Sequence, residues 1–537
     1  MIPTIQLLVG LLLVISVIAF IAARLKVPAS ILLVLAGVGL GLPAALPNVE
    51  LSPEVVLLLV LPPIIYSASV AMSWSEFRSN LRPISLLAIG CVVFTATAVA
   101  AAAHYWMGFS WQLGFVLGAI VSPPDAVAPL SIARRLQLPR RIVVILEGEG
   151  LANDATALIL YRFAVAAVGG GLFSLTHAVG TFIAILGGEL MWGVVVGWMM
   201  LRLRRWVGEP RVEIMLSVLT PFIAYWPPEM LGGSGVLATV TTGLYISWNG
   251  LRLISAPTRL QGIFFWDFLI YTIEGMIFLL TGLQAHTLVA GLKTHALSEL
   301  ALYGAIVSAV VIVTRFIWMY PATYLPRWFS RTLARRDPSP PWQWPFALAF
   351  TGVRGIVSLA AALAIPLTIS DGSPFPNREV ILVVAFVVVL VTLVGQGLTL
   401  PWVVRALGLA NAGQREQAAQ RQEEFQIRQE AIEAANNRLD ALAALPDIPD
   451  DVIARLRNHH RQRLAQILTR GNDGAEQRRL IAKGDELELQ LIAAERDLIN
   501  QRYRQGALKD ETRRRLEREL DLRDAQLASV RNQGYWD

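Results

Sequence analysis

The chain runs to 537 residues, of which 55% are hydrophobic and 16% charged, with a formal net charge of +6 and a mean hydropathy of +0.53. An ordinary soluble domain is about 45–50% apolar and about 25% charged, so the composition excludes one and points to a membrane protein. The single cysteine, Cys91, rules out a disulfide framework and a cysteine-built metal site.

The average conceals a boundary. From Asn411 onward the last 127 residues hold 22 of the 46 Lys and Arg and 23 of the 40 Asp and Glu. Residues 1–410 therefore read as a membrane domain and residues 411–537 as a charged tail. The tail is close to neutral, so the basic excess belongs to the membrane loops and implies no nucleic-acid partner.

The first apolar run, Ile5–Ala22, is followed by Arg24 and Lys26 and has no positively charged leader. It reads as a spanning helix rather than a cleaved signal. About thirteen runs of this kind follow one another in the sequence, each apolar over the length a bilayer requires. They are centred near Leu13, Val38, Leu58, Val92, Leu117, Leu158, Leu186, Leu219, Val240, Ile277, Val310, Leu359 and Val388. Loops after the odd-numbered runs carry 18 Lys and Arg, from Arg24 to Arg336, whereas the even loops carry only Lys293 and Arg378. By the positive-inside rule the odd loops are cytoplasmic, which places the N-terminus outside and the tail inside. A multi-pass protein of the cell membrane is expected.

Two of the runs are interrupted. The fifth contains Ser122-Pro123-Pro124-Asp125, where two prolines remove backbone donors and bias the preceding residues away from helix. The twelfth contains Thr351-Gly352-Val353-Arg354-Gly355, with two glycines flanking a cation. Either break alone could be an ordinary kink. Seven spans separate them, so the two segments cross in opposite directions, and paired broken helices in inverted halves mark a secondary transporter's midplane site.

Between the breaks, the stretch Ile142–Val168 contains Glu149-Gly150-Leu151-Ala152-Asn153-Asp154. Carboxylates inside a spanning helix are costly and usually serve an ion or proton path. In a helix Glu149 and Asn153 lie four apart, as do Gly150 and Asp154, along one inward face.

These residues resemble the sodium/proton exchanger family of monovalent cation/proton antiporters, in its Asn-Asp electroneutral branch. The matching pieces are Leu61-Pro62-Pro63-Ile64-Ile65-Tyr66, Ser122 through Ala128, Glu147 through Asp154, and Gly352-Val353-Arg354-Gly355, with Phe265-Trp266 and Phe278 through Leu283 a weaker match. The resemblance implies an all-α membrane protein with inverted repeats, two crossed and broken helices, a dimerising scaffold and a helical cytoplasmic tail. It also implies elevator-like exchange of a cation, Na⁺ first and K⁺ or Li⁺ as alternatives, for H⁺, with no cofactor. Asp154 then corresponds to the carboxylate that binds Na⁺ or a proton in turn, Asn153 to its electroneutral companion, and Asp125 to a second ion-site residue beside the Pro124 carbonyl. Glu149 and Arg354 correspond to a buried pair that stabilises the core.

The chain departs from the pattern at three places. Gly150 stands where many relatives have Ser, Ser67 where many have an acidic residue, and Pro124 where many have Thr. Gly150 and Ser67 are secondary site positions for that reason, together with Glu274, seven residues after Asp267 in the tenth run. Glu147 reads as a local hydrogen-bonding residue, Arg162 as a side chain snorkelling to the outer interface, and Glu189 with Arg315 as a buried pair or interface residues. The physical logic is competition. A desolvated monovalent cation needs several oxygen ligands and compensating negative charge, and a site that holds either ion or proton exchanges them.

The tail reads as three or four amphipathic helices, broken at Pro446-Asp447-Ile448-Pro449-Asp450 and Gly471-Asn472-Asp473-Gly474, with Asp450 as an N-cap and Leu487, Leu491, Ala494 and Ile499 on its apolar face. A passive channel is the competing class, against which there is no carbonyl-filter signature. An intramembrane enzyme is the third, and neither a His-Glu-x-x-His motif nor a nucleotide-binding glycine loop occurs in the sequence.

Overall fold

The structure, a computed structural model, describes residues 2–41, 52–170, 175–290, 296–369, 372–443, 451–458, 460–461, 475–505 and 507–532. Lys293 and the two expected tail breaks, 446–450 and 471–474, lie outside them. Every regular element described is a helix, and one antiparallel bridge, Thr368 to Pro374, closes a turn. The chain divides into two compact units, Met1–Gln414 and Arg415–Asp537.

The first unit contains α1 (Ile2–Leu25), α2 (Ala29–Gly41), α3 (Val55–Ala71), α4 (Trp74–Ser79), α5 (Leu81–Met107), α6 (Trp111–Val121), α7 (Val127–Arg135), α8 (Arg140–Val168) and α9 (Leu175–Val207). There follow α10 (Pro210–Met230), α11 (Val236–Leu253), α12 (Ala256–Ala290), α13 (Leu297–Phe329), α14 (Arg331–Arg336), α15 (Gln343–Phe350), α16 (Ile356–Leu363), α17 (Arg378–Ala406) and the start of α18 (Leu409–Ala443). All thirteen expected centres fall within these helices, and seven described helices are both long and apolar enough to cross a bilayer. The outward faces of α9 and α12 leave Met191 70% and Phe264 76% exposed, a large apolar surface that water would not tolerate but lipid does.

Where helices meet, small residues bring backbones together, as is usual for membrane interfaces. Gly37 of α2 and Gly282 of α12 face each other so closely that a Cβ on Gly37 would lie 2.8 Å from the Gly282 Cα. Helix α10 contains prolines at positions 221, 227 and 228, the last two in its final turn.

The buried charges sort differently from the expected pairings. Glu149 of α8 is 2% exposed and accepts two hydrogen bonds from Arg315 of α13, 2.5 Å from Nη1 and 2.8 Å from Nη2. Arg315 also donates to the Leu348 carbonyl of α15 at 3.1 Å and 3.0 Å. Glu149 is therefore paired with Arg315 and not with Arg354, which is engaged by backbone carbonyls elsewhere. Nor is Arg315 paired with Glu189. That carboxylate, reaching over from α9, accepts from the backbone N–H groups of Ser234, Gly235 and Leu237. It satisfies the donors at the start of α11, which have no partner within the helix.

In the second unit, α19 (Ala475–Arg504) and α20 (Asp510–Asn532) form a helical hairpin. Its buried face carries Ile492 and Leu520, whereas Leu487 and Leu491 are exposed, so the expected apolar stripe is turned outward. Flanking pairs, Arg496–Asp521 at 2.8 Å and Arg523–Glu488 at 3.1 Å, fix which face meets the partner helix.

Removing one member of a buried ion pair costs about 3–5 kcal/mol, whereas an apolar pair of similar volume is often neutral. Arg315→Met or Glu149→Gln should each lower the melting temperature of the purified protein sharply. The double variant Glu149→Leu/Arg315→Met should recover most of the loss. Equal losses in single and double variants would show that the two side chains are not energetically coupled.

Candidate functional site

Both interruptions are real breaks. Helix α6 ends at Val121 and α7 begins at Val127, while α15 ends at Phe350 and α16 begins at Ile356. The two unwound segments touch, since the Asp125 N–H donates to the Val353 carbonyl at 2.6 Å.

Unwinding a helix inside a membrane orphans backbone groups that cost several kcal/mol each without a partner. On the carbonyl side, Arg354 donates through Nε to Val121 O at 2.8 Å, through Nη2 to Ser122 O at 3.2 Å, and through Nη1 to Gly352 O. Its own N–H donates to Thr392 Oγ1 at 2.9 Å, and Gln396 Nε2 donates to Phe350 O at 3.2 Å. Thr392 and Gln396 both lie in a π-helical stretch of α17, Val391–Gln396, a local widening of the helix that is frequent at functional sites. On the amide side, the Asp125 carboxylate accepts from the Val127 N–H at 2.8 Å and from the Ile356 N–H. Asp125 thus places its carboxyl at the N-termini of two half-helices, and Arg354 its guanidinium at the C-termini of the other two. Each placement matches the helix dipoles. Gly355 is required by this contact, because a Cβ there would collide with the Asp125 carboxyl.

Helix α8 runs alongside. Asn153 is fully buried and its Nδ2 donates to the Pro124 carbonyl at 2.6 Å. A carbonyl only accepts, so this bond fixes the amide orientation. Asn153 Oδ1 is left buried with no partner among the described residues. Asp154, half-buried, lies within electrostatic range of Asp125. The residues that sequence reasoning grouped at the site, Asp154, Asn153, Asp125 and the Pro124 backbone, are in one neighbourhood.

The secondary positions separate. A Cβ on Gly150 would lie 2.7 Å from the Ala126 Cβ, so a methyl group fills the volume that a serine would use. Ser67 is half-buried on α3, which packs chiefly on α11. Glu274 of α12 is half-buried within electrostatic range of Asp125 and Arg134. Glu147 pairs with Arg134 at 2.8 Å, a local role. Arg162 does not snorkel freely but pairs with Glu229 of α10. Sequence reading missed Ser358, in the first turn of α16, whose buried hydroxyl has no partner among the described residues. The only signal for it is its position three residues after Gly355.

Comparison with known proteins agrees with this architecture. Residues 10–406 match the model of the transmembrane sodium/hydrogen exchanger family. An uncharacterized Na⁺/H⁺ exchanger of Mycobacterium tuberculosis is 34% identical over 96% of both chains. The Na⁺/H⁺ antiporter NhaS2 of Synechocystis is 30% identical over 94% of this chain and 90% of its own. A sodium, potassium, lithium and rubidium/H⁺ antiporter of Bacillus pumilus is 33% identical over 68% of this chain and 56% of its own. The sodium proton antiporter MjNhaP1 of Methanocaldococcus jannaschii shares the fold, with a TM-score of 0.59 at 18% identity over 76% of this chain and 97% of that one. With the family model covering most of the membrane unit, the chain belongs to the sodium/hydrogen exchanger family of membrane cation/proton antiporters.

Proposed function

We propose that the protein exchanges one Na⁺ for one H⁺ at Asp154, electroneutrally, by elevator-type alternating access in the cell membrane. The observation that carries this reading is the division of labour between two carboxylates. Asp125 is committed to the N–H groups of Val127 and Ile356, whereas among the described residues no such backbone donors hold Asp154. Asp154 is then the exchanging group, Asn153 Oδ1 the neutral oxygen beside it, and Asp125 a fixed charge that lowers the cost of bringing a cation out of water. A cation and a proton compete for one carboxylate, and the swap moves no net charge.

Thirteen crossings in inverted halves, the N-terminus outside, the tail in the cytoplasm and a homodimeric scaffold belong to the same proposal. The arginine-rich odd loops support the orientation. The Bacillus pumilus relative is named for four alkali cations, and Ala126 occupies the space of a serine hydroxyl here. K⁺ and Li⁺ are therefore tested alongside Na⁺.

Asp154→Asn should abolish Na⁺-driven proton movement in proteoliposomes while leaving the melting temperature near that of the parent. Exchange at the parent rate by a folded Asn variant would end the proposal. Reversal potentials taken at several clamped voltages should not move with voltage, and transport should slow at low pH with a midpoint that shifts as Na⁺ is varied. A voltage-dependent reversal point would show that Asp125 also titrates and that the ratio is not one to one. For preference, Gly150→Ser combined with Ala126→Gly adds a hydroxyl and makes room for it. Apparent Na⁺ affinity should rise about 3–10-fold, the worth of one net hydrogen bond, while Gly150→Ser alone should gain less.

A further inference from the structure

Away from the crossing, four helix ends meet around a small cleft. Arg82 at the start of α5, Arg141 at the start of α8 and Arg327 near the end of α13 line it, with α15 as the fourth wall. All three guanidiniums converge on one carboxylate. Arg82 Nη2 donates to Asp337 Oδ2 at 2.7 Å, Arg327 Nη2 to the same oxygen at 2.8 Å, and Arg141 Nη1 lies 2.8 Å from Oδ1. Burial alone would raise the Asp337 carboxyl, but the hydrogen bond and charge of Arg141, with the charges of Arg327 and Arg82, hold it below the usual carboxylate range. It is therefore ionised at neutral pH, and one negative charge faces three positive ones.

Two positive charges remain unanswered. Arg82 Nη1 is buried and has no hydrogen-bond partner among the described residues, a guanidinium N–H with an unmet demand for an acceptor. The cleft holds about 40 Å³ of free space, the room of roughly three waters at ~10–15 Å³ each, which suits a phosphoryl group. Its remaining wall is apolar, built from Leu86, Ile145, Met319, Ala322 and Trp344. Beside it Trp328 is 78% and Phe329 80% exposed, the aromatic placement typical of a membrane–water interface.

We propose that this cleft binds the headgroup phosphate of an anionic phospholipid in the leaflet facing the arginine-rich loops, with Arg82 as the primary donor and the apolar wall receiving the start of an acyl chain. Basic pockets between membrane helices on the cytoplasmic side take such headgroups. The shared chemistry with free phosphate is the oxyanion, and the apolar wall is what selects the lipid. None of the residues lining the cleft is an ion-site residue, so the bound lipid would clasp α5, α8, α13 and α15 together without touching Asp154.

The test uses the delipidated full-length protein in neutral detergent, with binding read by native mass spectrometry and thermal melting. Phosphatidylglycerol should bind and raise the melting temperature, and phosphatidylcholine at the same concentration should do so much less. Arg82→Gln should weaken phosphatidylglycerol binding about five-fold, the worth of one basic residue at an anionic surface. Asp337→Asn should tighten it, since it leaves three guanidiniums without their shared counter-ion, an outcome that a purely structural network would not give. Ala322→Phe leaves the ion network intact, fills the apolar wall and should block binding, which keeps the proposal testable if Asp337→Asn does not fold. Equal binding of the two lipids, or parent-like phosphatidylglycerol binding by Arg82→Gln and Ala322→Phe, would overturn it. Reproduction of the full effect by inorganic phosphate would replace the lipid with a free anion and overturn it equally.

Discussion

A helix that unwinds inside a membrane leaves polar backbone groups with no water to meet them, and the site is the answer to that problem. Each unwound segment supplies one charge that serves both breaks. Asp125 comes from the first segment yet accepts the N–H of Ile356 in the second. Arg354 comes from the second yet donates to Val121 and Ser122 in the first. Neither break could be stable without the other, because each would keep a charge and several backbone groups unsatisfied. The crossing is therefore one cooperative unit, and the Asp125–Val353 backbone hydrogen bond at 2.6 Å lies at its centre.

From this follows the arrangement of the remaining charges. Arg354 has three carbonyls and needs no carboxylate. Glu149 is then free to pair with Arg315, whose guanidinium also reaches the end of α15 through Leu348. Glu149, Arg315, Arg354 and Asp125 each have a designated opposite charge or set of backbone dipoles. Among the described residues Asp154 and Glu274 have neither, and both lie within electrostatic range of Asp125. Such an environment favours a bound cation or proton over an empty carboxylate, which suits the exchange proposed at Asp154.

Much of this was legible in the sequence because its signals are local. Two prolines or two glycines in an apolar run announce an unwound segment wherever the helix ends up, and Asn153 and Asp154 are read from one helical face. The Glu149 partner was not legible, since three arginines lie within apolar runs at 162, 315 and 354 and the choice depends on how α13 is rotated against α8. That Glu189 does not pair with Arg315 was not legible either, because its partners are backbone N–H groups, which leave no trace in residue identity. The tail hairpin shows the same limit, where Ile492 and Leu487 are both apolar and only the partner helix decides which is buried.

The polar ties also show where the membrane unit is stiff. Those from Asn153 to Pro124, Arg315 to Glu149 and Leu348, and Arg354 and Gln396 to their partners all join α6, α7, α8, α13, α15, α16 and α17. Toward α10 and α11 the opposite face of α8 offers Leu151, Ala155 and Leu158, which pack on Tyr225, Val236, Val240 and Leu244. The described ion pair across that boundary is Arg162–Glu229, near the far end of the helix. Apolar contacts are non-directional and can be remade after a shift, whereas a buried hydrogen bond cannot be broken without cost. A body tied internally by hydrogen bonds and bounded by an apolar seam can slide as a unit. The proposed elevator motion requires that division, and it keeps Asp154, Asn153 and Asp125 in fixed mutual geometry while the access route around them changes.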